Sequence, residues 1–135
     1  MGSGAYVTAA GVWTNASDRR LKKNIVDSNY GLNEILQLRP VNYVMKKSGD
    51  KQVGFIAQEV REVLPEVVSG KEGDLKKGET LGISYGNIVP VVVNAIKEIY
   101  QRVTGAEVEI SKLKAENKEL RERLERIERK LATEN

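Results

Sequence analysis

"IKEIYQRVTGAEVEISKLKAENKELRERLERIERKL", residues 96–131, decides the architecture of this chain. With Ile96 at heptad position a, the a/d series runs Ile96, Ile99, Val103, Ala106, Ile110, Leu113, Asn117, Leu120, Leu124, Ile127, Leu131. Ten of these eleven residues are apolar, and an apolar repeat sustained at 3.5-residue spacing predicts a coiled coil. The flanking g and e positions pair Glu109 with Lys114, Glu116 with Arg121 and Arg123 with Glu128. All three pairs are opposite in sign, as a parallel, in-register homo-oligomer requires. Each pair adds under about 1 kcal/mol, so their role is to select partner and register. Asn117 at an a position does the same at some cost in stability.

An a-position Asn often accompanies two strands, and the Leu/Ile mixture of the seam does not decide the number. "RLERIE" (123–128) has the Arg-apolar-x-x-apolar-Glu order that recurs in three-stranded coils. There Arg123 lies along the seam and pairs with Glu128 of a neighbour, so the expected assembly is a trimer. Upstream, Asn87 reads as the helix N-cap and Pro90 falls in the first turn, where its missing N–H is harmless. Gly105 falls at position c, outside the seam, and reads as a joint between domain and coil.

Before the helix, residues 17–105 read as a small mixed domain of α+β class. "LNEILQLRP" (32–40) is a short amphipathic helix stopped by Pro40. "VNYVMK" (41–46), the turn "SGDK" (48–51) and "QVGFIA" (52–57) form a hairpin. "QEVREVLPEVV" (58–68) is a helix broken near Pro65, residues 69–80 are a polar loop, and "LGISY" (81–85) is a strand. The loop lacks the order of a phosphate-binding motif. Residues 5–16, "AYVTAAGVWTNA", are uncharged and β-prone, and read as the end of a larger β-structure lying upstream. "MGSG" (1–4) reads as an added leader. The expected organisation is therefore 1–16, leader and upstream stub; 17–105, compact domain; and 106–135, coil.

Composition narrows the chemistry. The 135 residues contain neither Cys nor His, which removes thiol catalysis, disulfides and Cys/His metal sites. No metal or cofactor is expected, and the base of any catalytic site must be Lys or a carboxylate. The net charge of +3 lies wholly in residues 1–105, since 106–135 hold eight basic and eight acidic residues. A nucleic-acid partner is not expected, because that needs a dense basic stripe. A DNA-binding zipper would need a continuous basic helix before the coil. Here Lys97 and Arg102 stand among Glu98, Glu107 and Glu109. No apolar run is long enough to span a bilayer, so no membrane partner is expected.

"TNASDRRLKKNI" (14–25) carries the candidate chemistry. Periodicity alone reads Ser17 or Asp18 as a helix cap and the basic residues as a solvated face. The alternative is that Ser17 is a nucleophile and Lys22 its base. "SDRRLKKNI", "LRPVNYVMK", "VGFIAQEVREVLPEVV" and "NIVPVVVNAIKEIY", in this order and leading into a coil, resemble the intramolecular chaperone auto-processing domain of peptidase S74 type. Such domains are found in bacteriophage tail spikes, tail fibres and neck appendages. The resemblance covers residues 17 to about 103. It implies a domain that trimerises, guides folding of the β-rich fibre upstream, and releases itself by cutting its own chain. Carried onto this sequence, Ser17 is the nucleophile, Lys22 the general base and Ala16–Ser17 the scissile bond. The setting implied is a virion precursor in the bacterial host cytoplasm.

An ordinary lysine, with a pKa near 10.4, is protonated at neutral pH and cannot take a proton. Burial is the strongest means of lowering that value, and neighbouring cations assist. Five residues apart on an α-helix, two side chains diverge by about 140°. Ser17 and Lys22 therefore need a non-helical turn or a second subunit to meet. Asp18, Asn24 and Gln58 are candidate supporting residues. A second expectation, from a different class, is a trimerisation clamp and folding template that never cleaves.

Overall fold

The structure, a computed structural model, describes residues 5–133. The "MGSG" leader lies outside the described residues. The order of elements is β1 (Tyr6–Val7), β2 (Trp13–Thr14), a 3-10 turn (Arg19–Leu21), α1 (Leu32–Gln37), β3 (Val41–Val44), β4 (Lys51–Gly54) and α2 (Ala57–Val63). There follow a 3-10 turn (Pro65–Val67), β5 (Val68–Gly70), a 3-10 turn (Leu75–Lys77), β6 (Leu81–Ile83), a 3-10 turn (Tyr85–Asn87) and α3 (Val89–Thr133). The six strands form three separate antiparallel pairs, β1–β2, β3–β4 and β5–β6. The class is α+β, with a 45-residue terminal helix.

The core is aliphatic and small. Val60 of α2, Leu64 directly after it, Val67 of the following turn, Ile88 directly before α3 and Val91 in its first turn form one buried cluster. Tyr30, Ile35, Phe55 and Ile83 pack on its margin. Leu64 is completely buried, so Leu64→Ala removes transfer free energy and leaves a cavity. The expected loss is about 2–5 kcal/mol, read as a lowered urea midpoint at fixed protein concentration.

α1 is short because Pro40 cannot continue a helix, and the chain is already extended at Leu38. Its N-terminus is satisfied from two directions. Glu34 Oε2 accepts from the Gly31 N–H at 2.7 Å, and Glu98 of α3 accepts from the Leu32 N–H at 3.3 Å. A Cβ on Gly31 would collide with the Glu98 carboxylate, so glycine permits this approach. Asn94 of α3 donates to the Tyr30 carbonyl at 3.0 Å. The Tyr30 hydroxyl lies 3.0 Å from Glu66, and that bond raises the phenol above its ordinary pKa. These contacts fasten the 28–37 segment to the first turns of the long helix.

Several boundaries differ from the sequence reading. The second strand of the β3–β4 hairpin is residues 51–54 rather than 52–57. Phe55 leaves the ladder to pack on the core, its N–H donating to the Tyr85 hydroxyl at 3.2 Å. Ala57 already opens α2. Residues 68–70, at the edge of the expected loop, form β5, in register Val68↔Ile83 with β6. The helix break is where Pro65 predicts it, but Pro65 opens a 3-10 turn. Asn87 does not cap α3. It closes the 3-10 turn, its N–H donating to the Ser84 carbonyl at 2.9 Å, and Ile88 accepts from Val92 N–H at 3.1 Å. A buried isoleucine thus occupies the capping position, where packing outweighs a polar cap. Pro90 lies in the first turn, and α3 runs through Gly105 without interruption.

Within α3 two faces separate. Ile88, Val91 and Ala95 are buried on the domain, with Glu98 on the same side. The heptad residues from Ile96 to Leu131 that are large and apolar are 46–59% exposed. Extended backward, the same register takes in Val92 and Val89, also exposed. At 100° per residue the two faces are centred about 100° apart.

Candidate active site

Asp18 sets the local geometry around Ser17. Its backbone is extended (φ −62°, ψ 135°), and its carboxylate accepts from the Arg20 N–H at 2.8 Å. That bond caps the Arg19–Leu21 turn, within which Leu21 N–H donates to the Asp18 carbonyl and Lys22 N–H to the Arg19 carbonyl. Lys22 then leaves the turn extended, at φ −117° and ψ 148°. One tight turn between two extended flanks brings positions 17 and 22 together, which an α-helix would not. The Lys22 Nζ donates to the Ser17 Oγ at 2.8 Å. An uncharged amine would accept from the same hydroxyl along the same line.

The Asp18 carboxylate also pairs with the Arg20 guanidinium at 2.7 Å. Arg20, first through its side chain and then through its backbone N–H, holds Asp18 below the usual carboxylate range. A lowered folded value means that this contribution is complete above the ordinary value near 3.8 and is lost as pH falls through the lower folded one. The turn is therefore fully capped at neutral pH. The ion pair is exposed and adds little stability by itself. Asp18→Asn keeps a side-chain acceptor for the cap, whereas Asp18→Ala removes it. Alanine is expected to slow any reaction at Ser17 about tenfold, with asparagine restoring most of it, because misplaced groups lose rate steeply. Half-times by intact mass test the pair.

The other candidates lie apart from this contact. Asn24 adopts a left-handed backbone conformation, φ 52°, which Asn tolerates better than most residues. It redirects the chain after Lys23. The Gln58 amide donates to Glu72 at 2.9 Å, beside the Arg61–Glu72 pair, and so is committed away from Ser17 and Lys22. Ser17 and Lys22 are both exposed in the single chain.

One cluster escaped the sequence reading. Asn15 and Ala16, with Ala5 and Trp13, share a cleft of about 680 Å³ with Ser84, Tyr85, Gly86 and Asn87. The turn directly before α3 thus faces the residue that precedes Ser17. Tyr85 anchors this turn: its ring stacks on Phe55 with centroids 6.0 Å apart, and a Cβ on Gly54 would strike its hydroxyl. The only signal in the sequence was the turn-forming composition of "SYGN".

Residues 17–69 match the Peptidase_S74 family model, described as chaperone of endosialidase. Over these 53 of its 135 residues the chain is similar to Peptidase_S74 chaperone domains. The match begins at Ser17 and takes in Lys22, α1, the β3–β4 hairpin and α2. It stops before β6 and α3, yet Ile83, Ile88 and Val91 complete the core on which the matched segment packs. The compact unit to which the matched segment belongs therefore extends into the first turns of α3. No helix among the described residues is long and apolar enough to cross a membrane.

Proposed function

We propose that this Peptidase_S74 domain is the intramolecular chaperone of a phage tail fibre or spike. It trimerises through the seam of α3, templates the β-rich segment upstream, and cuts its own chain between Ala16 and Ser17. The observation that carries the reading is the 2.8 Å contact between Lys22 Nζ and Ser17 Oγ, at the residue where the family match begins.

The chemistry balances with the chain's own groups and one water. The uncharged Lys22 amine takes the Ser17 hydroxyl proton, and Oγ attacks the Ala16 carbonyl carbon. The C–N bond breaks as the Lys22 ammonium returns a proton to the Ser17 nitrogen. An ester joins Ala16 to Ser17 Oγ, and the Ser17 amine is free. Water, deprotonated by Lys22, then attacks the ester, and Oγ leaves with its proton restored. The products are a carboxylate at Ala16 and a new amino terminus at Ser17.

A water-poor setting is the condition for Lys22 to act as base, and in one chain the dyad is exposed. The seam supplies neighbours. Its exposed a/d residues start at the first turn of α3, immediately after the Ser84–Asn87 turn that shares a cleft with Ala16. Zipping three helices draws two further domains toward that end, so cleavage follows assembly. Assembly in the host cytoplasm and release of the domain from the mature fibre belong to the same proposal. Exposure of the dyad is also what favours the second reading, a clamp that trimerises without cutting. Intact mass after purification separates them: loss of residues 1–16 is expected, and a full-length chain after prolonged incubation of the trimer favours the clamp.

A further inference from the structure

The geometry points to the Ser84–Asn87 turn as the seat of the acyl leg, residues Asn15 and Ala16, with Gly86 limiting the size of what fits beside the scissile carbonyl. This rests on the self-cleavage reading and adds a residue set that neither the dyad nor the coil supplies. Three observations converge. The leg and the turn line one cleft. The turn is held rigidly: Ser84 N–H donates to the Val67 carbonyl at 2.8 Å, Tyr85 is pinned by Phe55, and the next residue, Ile88, is buried in the core. The side chains of Ser84 and Asn87 make no hydrogen bond among the described residues, so their polar atoms are available to the leg. A rigid wall suits a reaction that needs its carbonyl held while a neighbouring hydroxyl closes on it.

Gly86 gives the test its handle. A Cβ there meets nothing within 4 Å, and its φ is not positive, so a larger residue folds but narrows the cleft. The seat also links the reaction to the seam, because this turn leads directly into α3.

The chain has no cysteine, so paired cysteines report proximity cleanly. In the full chain carrying Ser17→Ala, Asn15→Cys with Gly86→Cys is treated with a short bismaleimide, and Asn15→Cys with Lys112→Cys serves as the distant control. The expected product is an intrachain cross-link for the first pair and not for the second. In the Ser17 chain, Gly86→Leu is expected to slow scission about tenfold or more, with urea midpoint and trimer mass unchanged, and Ala16→Gly to recover part of the rate. Cross-links formed only between chains, no cross-link at all, or Gly86→Leu cutting at the wild-type rate would each overturn the seat. If the intrachain cross-link forms but the unmodified chain never cuts, the seating stands and the self-cleavage reading falls.

Discussion

Ser17→Ala is expected to remain full length under conditions in which the unmodified chain loses residues 1–16. The alanine chain lacks the only atom that forms the ester, and no His or Cys exists to replace it. Removing a nucleophile leaves only binding and positioning effects, so the fall in rate should be on the order of 10⁴-fold or more. Lys22→Ala tests the base. Loss of general-base catalysis should cost about 10²–10⁴-fold, less than loss of the nucleophile. Lys22→Arg separates charge from base function, since guanidinium keeps the positive charge but cannot take a proton. It should be as slow as alanine. Ser17→Ala should leave the urea midpoint and the oligomeric state unchanged, because Ser17 is exposed and its hydroxyl's described bond is to Lys22 alone. A Ser17→Ala chain that still cuts at Ala16 would remove the nucleophile from the mechanism.

The second large effect concerns the seam. Ile110 and Leu120 stand at a and d positions well beyond the domain core, about half exposed in the single chain. In the proposed three-stranded coil, changing both to Asp places six carboxylates in the interior, where unpaired charge is strongly disfavoured. The domain core does not include these residues, so each chain should fold as before. Sedimentation should then give a mass near the 15.0 kDa chain instead of about three times that value. Scission should fall at least about 100-fold, as positioning and water exclusion are lost together. A monomer that cuts at the normal rate would uncouple cleavage from assembly.

The long terminal helix was legible because its period is local. Every seventh residue from Ile96 carries the information, and no tertiary knowledge is needed to see it. Pro40 and Pro65 ended α1 and α2 for equally local reasons. The Ser17–Lys22 contact was legible as a requirement for a non-helical turn, but not as a structure. Its convergence depends on two extended flanks and the Asp18 cap, and the same residues also fit an ordinary helix start. Phe55 reads as strand because it is apolar, whereas its N–H and its ring are held by Tyr85, thirty residues away. Asn87 has capping chemistry in isolation, yet the burial of Ile88 beside it shifted the helix start. The Ser84–Asn87 cleft was hidden altogether, since its opposite wall, Asn15 and Ala16, is joined to it only through the fold.

The most direct measurement is native mass spectrometry of the intact chain beside its Ser17→Ala variant, because one spectrum reports both stoichiometry and scission. Expected are assemblies of three chains in both samples, each beginning at Ser17 in the first and each full length in the second. Single full-length chains in both would contradict the proposal that assembly builds the site.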